Sequence, residues 1–151
     1  SVKTVATSTW NSYSATWTAT TDYANVATTT MKIRVRANDG EAANFLGTAD
    51  SANLTFDTKL PVLASIRLSA SSTPATLYLS VSDDLSFQMK VSLNADMTGA
   101  EWGTYYASST VSNTTDPDTV YVQFKDAYSN TSAISSVTSP PSPTNLMIQD
   151  T

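Results

Sequence analysis

The sequence predicts an all-β protein built as tandem β-sandwiches, and three observations carry that expectation. From Thr119 to Lys125 the apolar Val120, Val122 and Phe124 alternate with Tyr121, Gln123 and Lys125, and the turn-rich stretch Asp126-Ala-Tyr-Ser-Asn130 follows. Period-two alternation of this kind marks a half-buried strand entering a hairpin. Earlier in the chain Met31, Ile33, Val35 and Ala37 alternate with Lys32, Arg34 and Arg36, ahead of Asn38-Asp39-Gly40 and a closing strand from Ser51 to Phe56. A similar ending therefore occurs twice, which predicts two modules. Composition agrees: Ser and Thr make up nearly a third of the 151 residues, charged residues are 14 %, and β-branched and aromatic residues outnumber helix formers.

Taken in order, the first module offers four strands, Val2 to Ala6, Tyr13 to Thr18, Met31 to Ala37 and Ala52 to Phe56. A complete sandwich uses about seven, so its opening strands are expected to lie outside this sequence. The chain also begins on Ser1 rather than Met, and a piece of a longer protein is expected. Asp57-Thr-Lys-Leu-Pro61 closes the module, because Pro fixes φ, removes a donor and extends the residue before it.

The second module has the strands Ala64 to Ala70, Ala75 to Val81, Phe87 to Leu93, Glu101 to Ala107, a weak piece at Thr110 to Ser112, Thr119 to Lys125 and Ser132 to Val137. Its inward phase is Leu68, Leu77, Leu79, Val81, Phe87, Met89, Val91, Trp102, Val120, Val122, Phe124 and Ile134, with Trp102 expected at the centre. Ser139-Pro-Pro-Ser-Pro143 then reads as a stiff spacer. Thr144 to Thr151, where Leu146 and Ile148 alternate, reads as the first strand of a third module. The domains are thus expected at 1–58, 59–138 and 139–151.

The runs Asp83-Asp-Leu-Ser-Phe-Gln-Met-Lys-Val-Ser92, Gly99-Ala-Glu-Trp-Gly-Thr-Tyr105 and Thr119-Val-Tyr-Val-Gln-Phe-Lys-Asp126, with Ser129-Asn130, resemble the bacterial and archaeal immunoglobulin-like repeats of secreted and surface proteins. That resemblance covers most of residues 62–138. Residues 12–61, with Trp17, Arg34-Val-Arg-Ala-Asn-Asp-Gly40 and Phe56-Asp57-Thr58, resemble a fibronectin type III-like repeat. The two resemblances imply tandem immunoglobulin-like and fibronectin type III-like β-sandwiches in an extracellular, cell-surface setting, and they imply no reaction. Where such repeats carry Ala-Gly-Asn in the last hairpin, this chain has Tyr128-Ser129-Asn130.

Charge and composition argue against several function classes. A net charge of −5 and a pI near 4.3 disfavour nucleic acid and anionic membrane surfaces, which select clustered Lys and Arg. No apolar run has the length of a membrane span, and the first residues lack the pattern of a signal peptide. With no Cys, redox compartment is not legible. The absence of His and Cys removes the commonest bases, the thiol nucleophile and the usual zinc ligands. A Ser-Lys pair or a Lys-Asn isopeptide crosslink needs a buried lysine, and Lys32, Lys90 and Lys125 fall on outward phases. The carboxylate pairs Asp83-Asp84 and Asp116-Pro117-Asp118 lie in turns, without the cleft that glycoside hydrolysis uses. No enzyme is expected.

Calcium is the cofactor that the residues suit, because it takes hard oxygens from carboxylates, amides and carbonyls. The immunoglobulin-like arrangement implies that Asp57 of the connector approaches Asp83, Asp84, Asp126 and Asn130, as connector aspartates do in large repetitive bacterial adhesins. The alternative is that Asp and Asn serve these turns by bonding their own backbone. Trp10, Trp17, Tyr105 and Tyr106 offer a sugar-stacking platform, or else core and cross-strand pairs. Sequons occur at Asn53, Asn113 and Asn130, and chance alone supplies such motifs in a chain this rich in Ser and Thr. Lys32, Arg34 and Arg36 form a solvated stripe that blunts sheet pairing. The tail Thr144 to Thr151 could supply a missing strand to the first module of a neighbouring copy, which would propagate a filament; the plainer alternative is a sequence that starts inside a domain. The function expected is a non-catalytic structural or adhesive segment of a surface protein or filament, with neighbouring copies or modules as partners. The alternative is a carbohydrate- or ligand-binding accessory module with surface glycans as partners.

Overall fold

A computed structural model describes residues 14, 16–38, 46–69, 74–112 and 119–139. The chain divides into two compact units, Ser1–Lys59 and Leu60–Thr151. Its described elements are antiparallel strands and one short helical turn.

Unit 1 contains the turn α1 (Ala19–Asp22) and the strands β1 (Ala27–Met31), β2 (Arg34–Asn38), β3 (Leu46–Asp50) and β4 (Leu54–Asp57). They form two two-stranded sheets, β1 with β4 and β2 with β3. The strand predicted over Met31 to Ala37 is therefore two strands, broken at Lys32-Ile33. There the chain changes partner: Ser51 N–H donates to the Ile33 carbonyl at 2.9 Å, and Ile33 N–H donates to Ser51 Oγ at 3.0 Å. The strand β3 was not predicted, because Leu46-Gly-Thr-Ala-Asp50 carries no apolar alternation and its order comes from pairing with β2.

The strand expected at Tyr13 to Thr18 is not formed at described residues 14 and 16–18. Trp17 instead stacks on Phe56 at 5.7 Å between ring centroids and meets Tyr23 edge-on at 5.8 Å. Its Nε1 donates to Asp22 Oδ2 at 2.6 Å. The small aromatic cluster is tied down by Thr58, whose hydroxyl donates to the Tyr23 carbonyl and accepts from Val26 N–H at 3.1 Å. The strand expected at Val2 to Ala6 lies outside the described residues, as do Asp39-Gly40 and Trp10.

Unit 2 contains β5 (Val62–Leu68), β6 (Ala75–Ser82), β7 (Phe87–Ser92), β8 (Gly103–Thr104), β9 (Ser108–Val111), β10 (Thr119–Asp126) and β11 (Ser135–Thr138). One sheet has the order β11-β10-β7-β8 and the other β5-β6-β9. Buried Leu68, Leu77 and Leu79 from the second sheet form one cluster with Met89, Val120, Val122 and Phe124 from the first. Alternation on β10 is complete: Val120, Val122, Phe124 and Asp126 are buried, and the residues between them are half-exposed.

Two members of the predicted core do not belong to it. Ile134 is 42 % exposed, because β11 begins only at Ser135 and the residue before it is not held by the β10 ladder. Trp102 is half-exposed and faces Lys90 and Lys125 on the outer side of the first sheet. The centre of the core is Phe124, packed edge-on against Phe87 and Tyr105, each at 6.3 Å.

The strand predicted over Glu101 to Ala107 shortens to Gly103–Thr104, because the chain leaves the four-stranded sheet after Thr104. By Ala107 it has reached the other sheet, where its carbonyl accepts Leu79 N–H at 2.8 Å. Tyr105 makes this crossing: its ring packs on Phe87 at 4.7 Å, and its hydroxyl donates to the Leu79 carbonyl at 3.1 Å. Tyr105→Phe keeps the ring and deletes one neutral hydrogen bond, so unfolding of unit 2 in urea should show a loss of about 1 kcal/mol. A loss near zero would mean that the bond does not hold the two sheets together.

Candidate functional site

Of the residues expected to bind calcium, Asp57 belongs to unit 1, and Asp83, Asp84, Asp126 and Asn130 belong to unit 2. Asp57 is buried at the end of β4, and its Oδ1 accepts Lys59 N–H at 2.8 Å. Asp83 follows β6 and its Oδ1 accepts Asp84 N–H at 2.8 Å. The first is an Asx turn, and the second is a local bond to the next residue.

Asp126 is 4 % exposed and organises the last hairpin. Its Oδ1 accepts Tyr128 N–H at 2.8 Å and Asn130 N–H at 2.9 Å, while its Oδ2 accepts Asn130 Nδ2 at 2.7 Å. These three donors turn the chain through Ser129, which sits at φ 69°. A left-handed backbone there is what glycine adopts without cost. Ser129→Gly should therefore raise stability by about 0.5–1 kcal/mol in chemical denaturation; a destabilised variant would show that the serine itself supports the turn. At the sequon Asn130 the side-chain amide donates to Asp126, so a glycan there would have to take its other amide hydrogen. Asn53 is exposed in the β3–β4 connection, and Asn113 lies outside the described residues.

Among the described residues no three His, Cys, Asp or Glu side chains are grouped to hold a metal ion. Calcium also takes amide and carbonyl oxygens.

Of the aromatics expected to form a platform, Trp10 lies outside the described residues, Trp17 belongs to unit 1, and Tyr105 and Tyr106 belong to unit 2. Trp17 is enclosed by Tyr23 and Phe56, Tyr105 lies between Phe87 and Phe124, and of the two neighbours Tyr105 and Tyr106 only Tyr106 is exposed, at 58 %. Tyr105 packs against the core cluster of unit 2, and Trp17 pairs with aromatic neighbours in unit 1.

Trp102 also faces outward, from the outer side of the four-stranded sheet. Its ring centroid lies 4.7 Å from Lys90 Nζ and 4.6 Å from Lys125 Nζ. The outward phase of both lysines was legible from alternation. The phase of Trp102 was not, because the apolar pattern around it is irregular. The signal lies in the register: Met89 pairs with Gly103, which carries the preceding Trp102 toward Lys90.

The basic stripe of unit 1 is partly neutralised. Arg34 pairs with Asp50 across β2–β3 through two bonds, Nε to Oδ1 at 2.6 Å and Nη2 to Oδ2 at 2.8 Å. The Arg34 hydrogen bond holds the Asp50 carboxyl below its ordinary 3.8. In the turn after β7, hydrogen bonds from the Thr98 side chain and then its amide lower Asp96 from the same value. For both groups the folded chain binds the proton less readily than the unfolded chain. Their stabilisation is therefore complete above pH 3.8 and is lost as pH falls through the lower folded value. Carboxyl NMR titration should give midpoints below 3.8 for Asp50 and Asp96; midpoints at or above it would contradict the geometry. Both groups are exposed, so high salt should shrink the Asp50 shift.

Comparison of this chain with protein-family models, with curated proteins and with solved structures gives no significant match. The functional reading therefore rests on the residues and their geometry.

Proposed function

We propose that this chain is a non-catalytic structural or adhesive segment of an extracellular surface protein or filament. In this reading unit 2 is an immunoglobulin-like β-sandwich, and unit 1 is part of a fibronectin type III-like one. The units assemble with adjacent modules or with other copies through strand edges and outer faces. The observation that carries the reading is the set of strand edges without a partner among the described residues. Unit 1 places its four described strands in two separate two-stranded sheets, so each strand has one side without a described partner strand. Isolated two-stranded ladders are marginal in water, and such edges accept a further strand. Exposed Ile33 and Val35, at 48 % and 62 %, add apolar area that an incoming strand would cover.

The composition supports the same reading. A chain without His or Cys is poorly equipped for acid–base, thiol or zinc chemistry. Calcium at the acidic turns belongs to this reading as a proposed stiffener, supported by the oxygen-rich sequence around Asp83, Asp84, Asp126 and Asn130 in unit 2 and by Asp57 in unit 1. Thermal unfolding in calcium against chelator tests it, and coincident transitions would remove calcium from the account. Light scattering and electron microscopy of the chain test the assembly itself. Regular oligomers or filaments are expected, and a monodisperse monomer at high concentration contradicts the reading.

A further inference from the structure

The outer face of the four-stranded sheet carries side chains unlike the rest of this acidic chain. Alternation turns Met89 of β7 and Val122 and Phe124 of β10 into the core, and so turns Gln88, Lys90, Tyr121, Gln123 and Lys125 to the opposite side. The register sets Lys90 against Gln123 and Gln88 against Lys125. The two ammonium groups are therefore diagonal neighbours, each with an amide directly across the ladder. Trp102 completes the set, with Lys90 Nζ and Lys125 Nζ at 4.7 and 4.6 Å from its ring centroid. Gln123 is fixed in place by its Nε2 bond to the Ser132 carbonyl at 3.0 Å.

Among the described residues neither lysine is ion-paired with a carboxylate, although the chain has 13 acidic residues against 8 basic ones. Two like charges held over one ring repel each other, and attraction between an ammonium and an indole is weak where water has access. An incoming carboxylate changes that balance. Each ammonium exchanges its contact with the ring for a charge-assisted hydrogen bond, which is the stronger interaction. The exchange also frees the indole face, which suits the C–H face of a pyranose. The flanking glutamine amides match sugar hydroxyls, since an amide both donates and accepts.

We propose that this face binds an acidic polysaccharide bearing uronate residues, with a carboxylate between Lys90 and Lys125 and a sugar ring on Trp102. The ligand class follows from the mixture: ammonium pairs select the anion, and the aromatic and amide groups select a polyol rather than a bare polyanion. The net charge of −5 opposes diffuse attraction of polyanions, so binding has to be local to this face. The inference goes beyond the assembly reading and does not depend on it, because a monomer carries the whole site.

The test is titration of the full chain with polygalacturonate oligomers at low salt and in chelator, followed by calorimetry and tryptophan fluorescence. Fully methyl-esterified oligomers and dextran sulfate serve as comparison ligands. The expected result is binding to polygalacturonate that weakens with salt, with affinity lower by about tenfold or more for the methyl ester and for K90Q/K125Q. The fluorescence change should vanish in Trp102→Phe, while that variant keeps measurable affinity through its ring. Circular dichroism identical to the parent shows that these outer-face variants are folded. Absence of binding, equal binding of the methyl ester, or K90Q/K125Q binding like the parent would overturn the site. Dextran sulfate binding as tightly as polygalacturonate would overturn the assignment to uronate.

Discussion

Replacing Phe124 by alanine is expected to remove about 3–5 kcal/mol from the stability of unit 2. The ring is 1 % exposed and contacts Phe87 and Tyr105 in the cluster that both sheets share. Truncation loses its transfer free energy and leaves a cavity that β10 cannot close, because pairing with β7 and β11 fixes that strand on both sides. Domains have about 5–15 kcal/mol in total, so the variant should unfold at much lower urea concentration with the slope of the transition unchanged. A change under about 1 kcal/mol would mean that the two sheets do not bury a common core. Phe124→Leu, which refills most of the volume, should recover a large part of the loss.

The second large effect is expected at Asp126. Its carboxylate accepts the Tyr128 amide, the Asn130 amide and the Asn130 side chain in a site only 4 % exposed. Hydrogen bonds to a charged acceptor contribute about 1.5–3 kcal/mol each net of exchange with water, and such contributions do not add when the donors can be rehydrated. Asp126→Ala leaves these donors to half-exposed solvent, and a net loss of about 3 kcal/mol is expected. Asp126→Asn retains one acceptor oxygen but sets its NH2 against that of Asn130, so it should fall between alanine and the parent. Measuring the alanine variant in calcium and in chelator separates two roles. A hairpin clamp gives the same loss in both, whereas a calcium ligand gives a loss that grows when calcium is present.

The strands that were legible in the sequence are those whose alternation is complete and whose partners lie on both sides. In β10, Val120, Val122 and Phe124 were assigned to the core from period two alone, and Leu77 and Leu79 of β6 likewise. Trp102 was misplaced for a physical reason. Hydrophobicity puts a tryptophan inside by default, but its ring also attracts cations, and the register of Gly103 with Met89 sets Trp102 beside two lysines. The short β8 was over-extended because Tyr105 and Tyr106 read as strand residues, when Tyr105 in fact spans from one sheet to the other.

In unit 1 the order comes from pairing rather than from pattern. The residues of β3 have little strand propensity, and Arg34 with Asp50 anchors them to β2. Trp17 was read as part of a strand, yet it is spent on Phe56, Tyr23 and Asp22. Asp83 and Asp84 lie in the connection after β6, Asp57 and Asp126 end their strands, and Asp116 and Asp118 lie outside the described residues; sequence alone does not reveal that three donors already occupy Asp126. That information requires the three-dimensional path of the hairpin through Ser129.

Assembly through strand edges, as proposed above, is tested most directly by the mass of the protein in solution. Multi-angle light scattering across a concentration series, with negative-stain electron microscopy of the same samples, should show oligomers that grow with concentration into regular filaments. Placing proline at Thr48, within β3, should suppress that growth if this edge is used, because proline removes a donor and cannot join a ladder. A single monomer mass at every concentration, with no ordered particles in the images, would contradict the account.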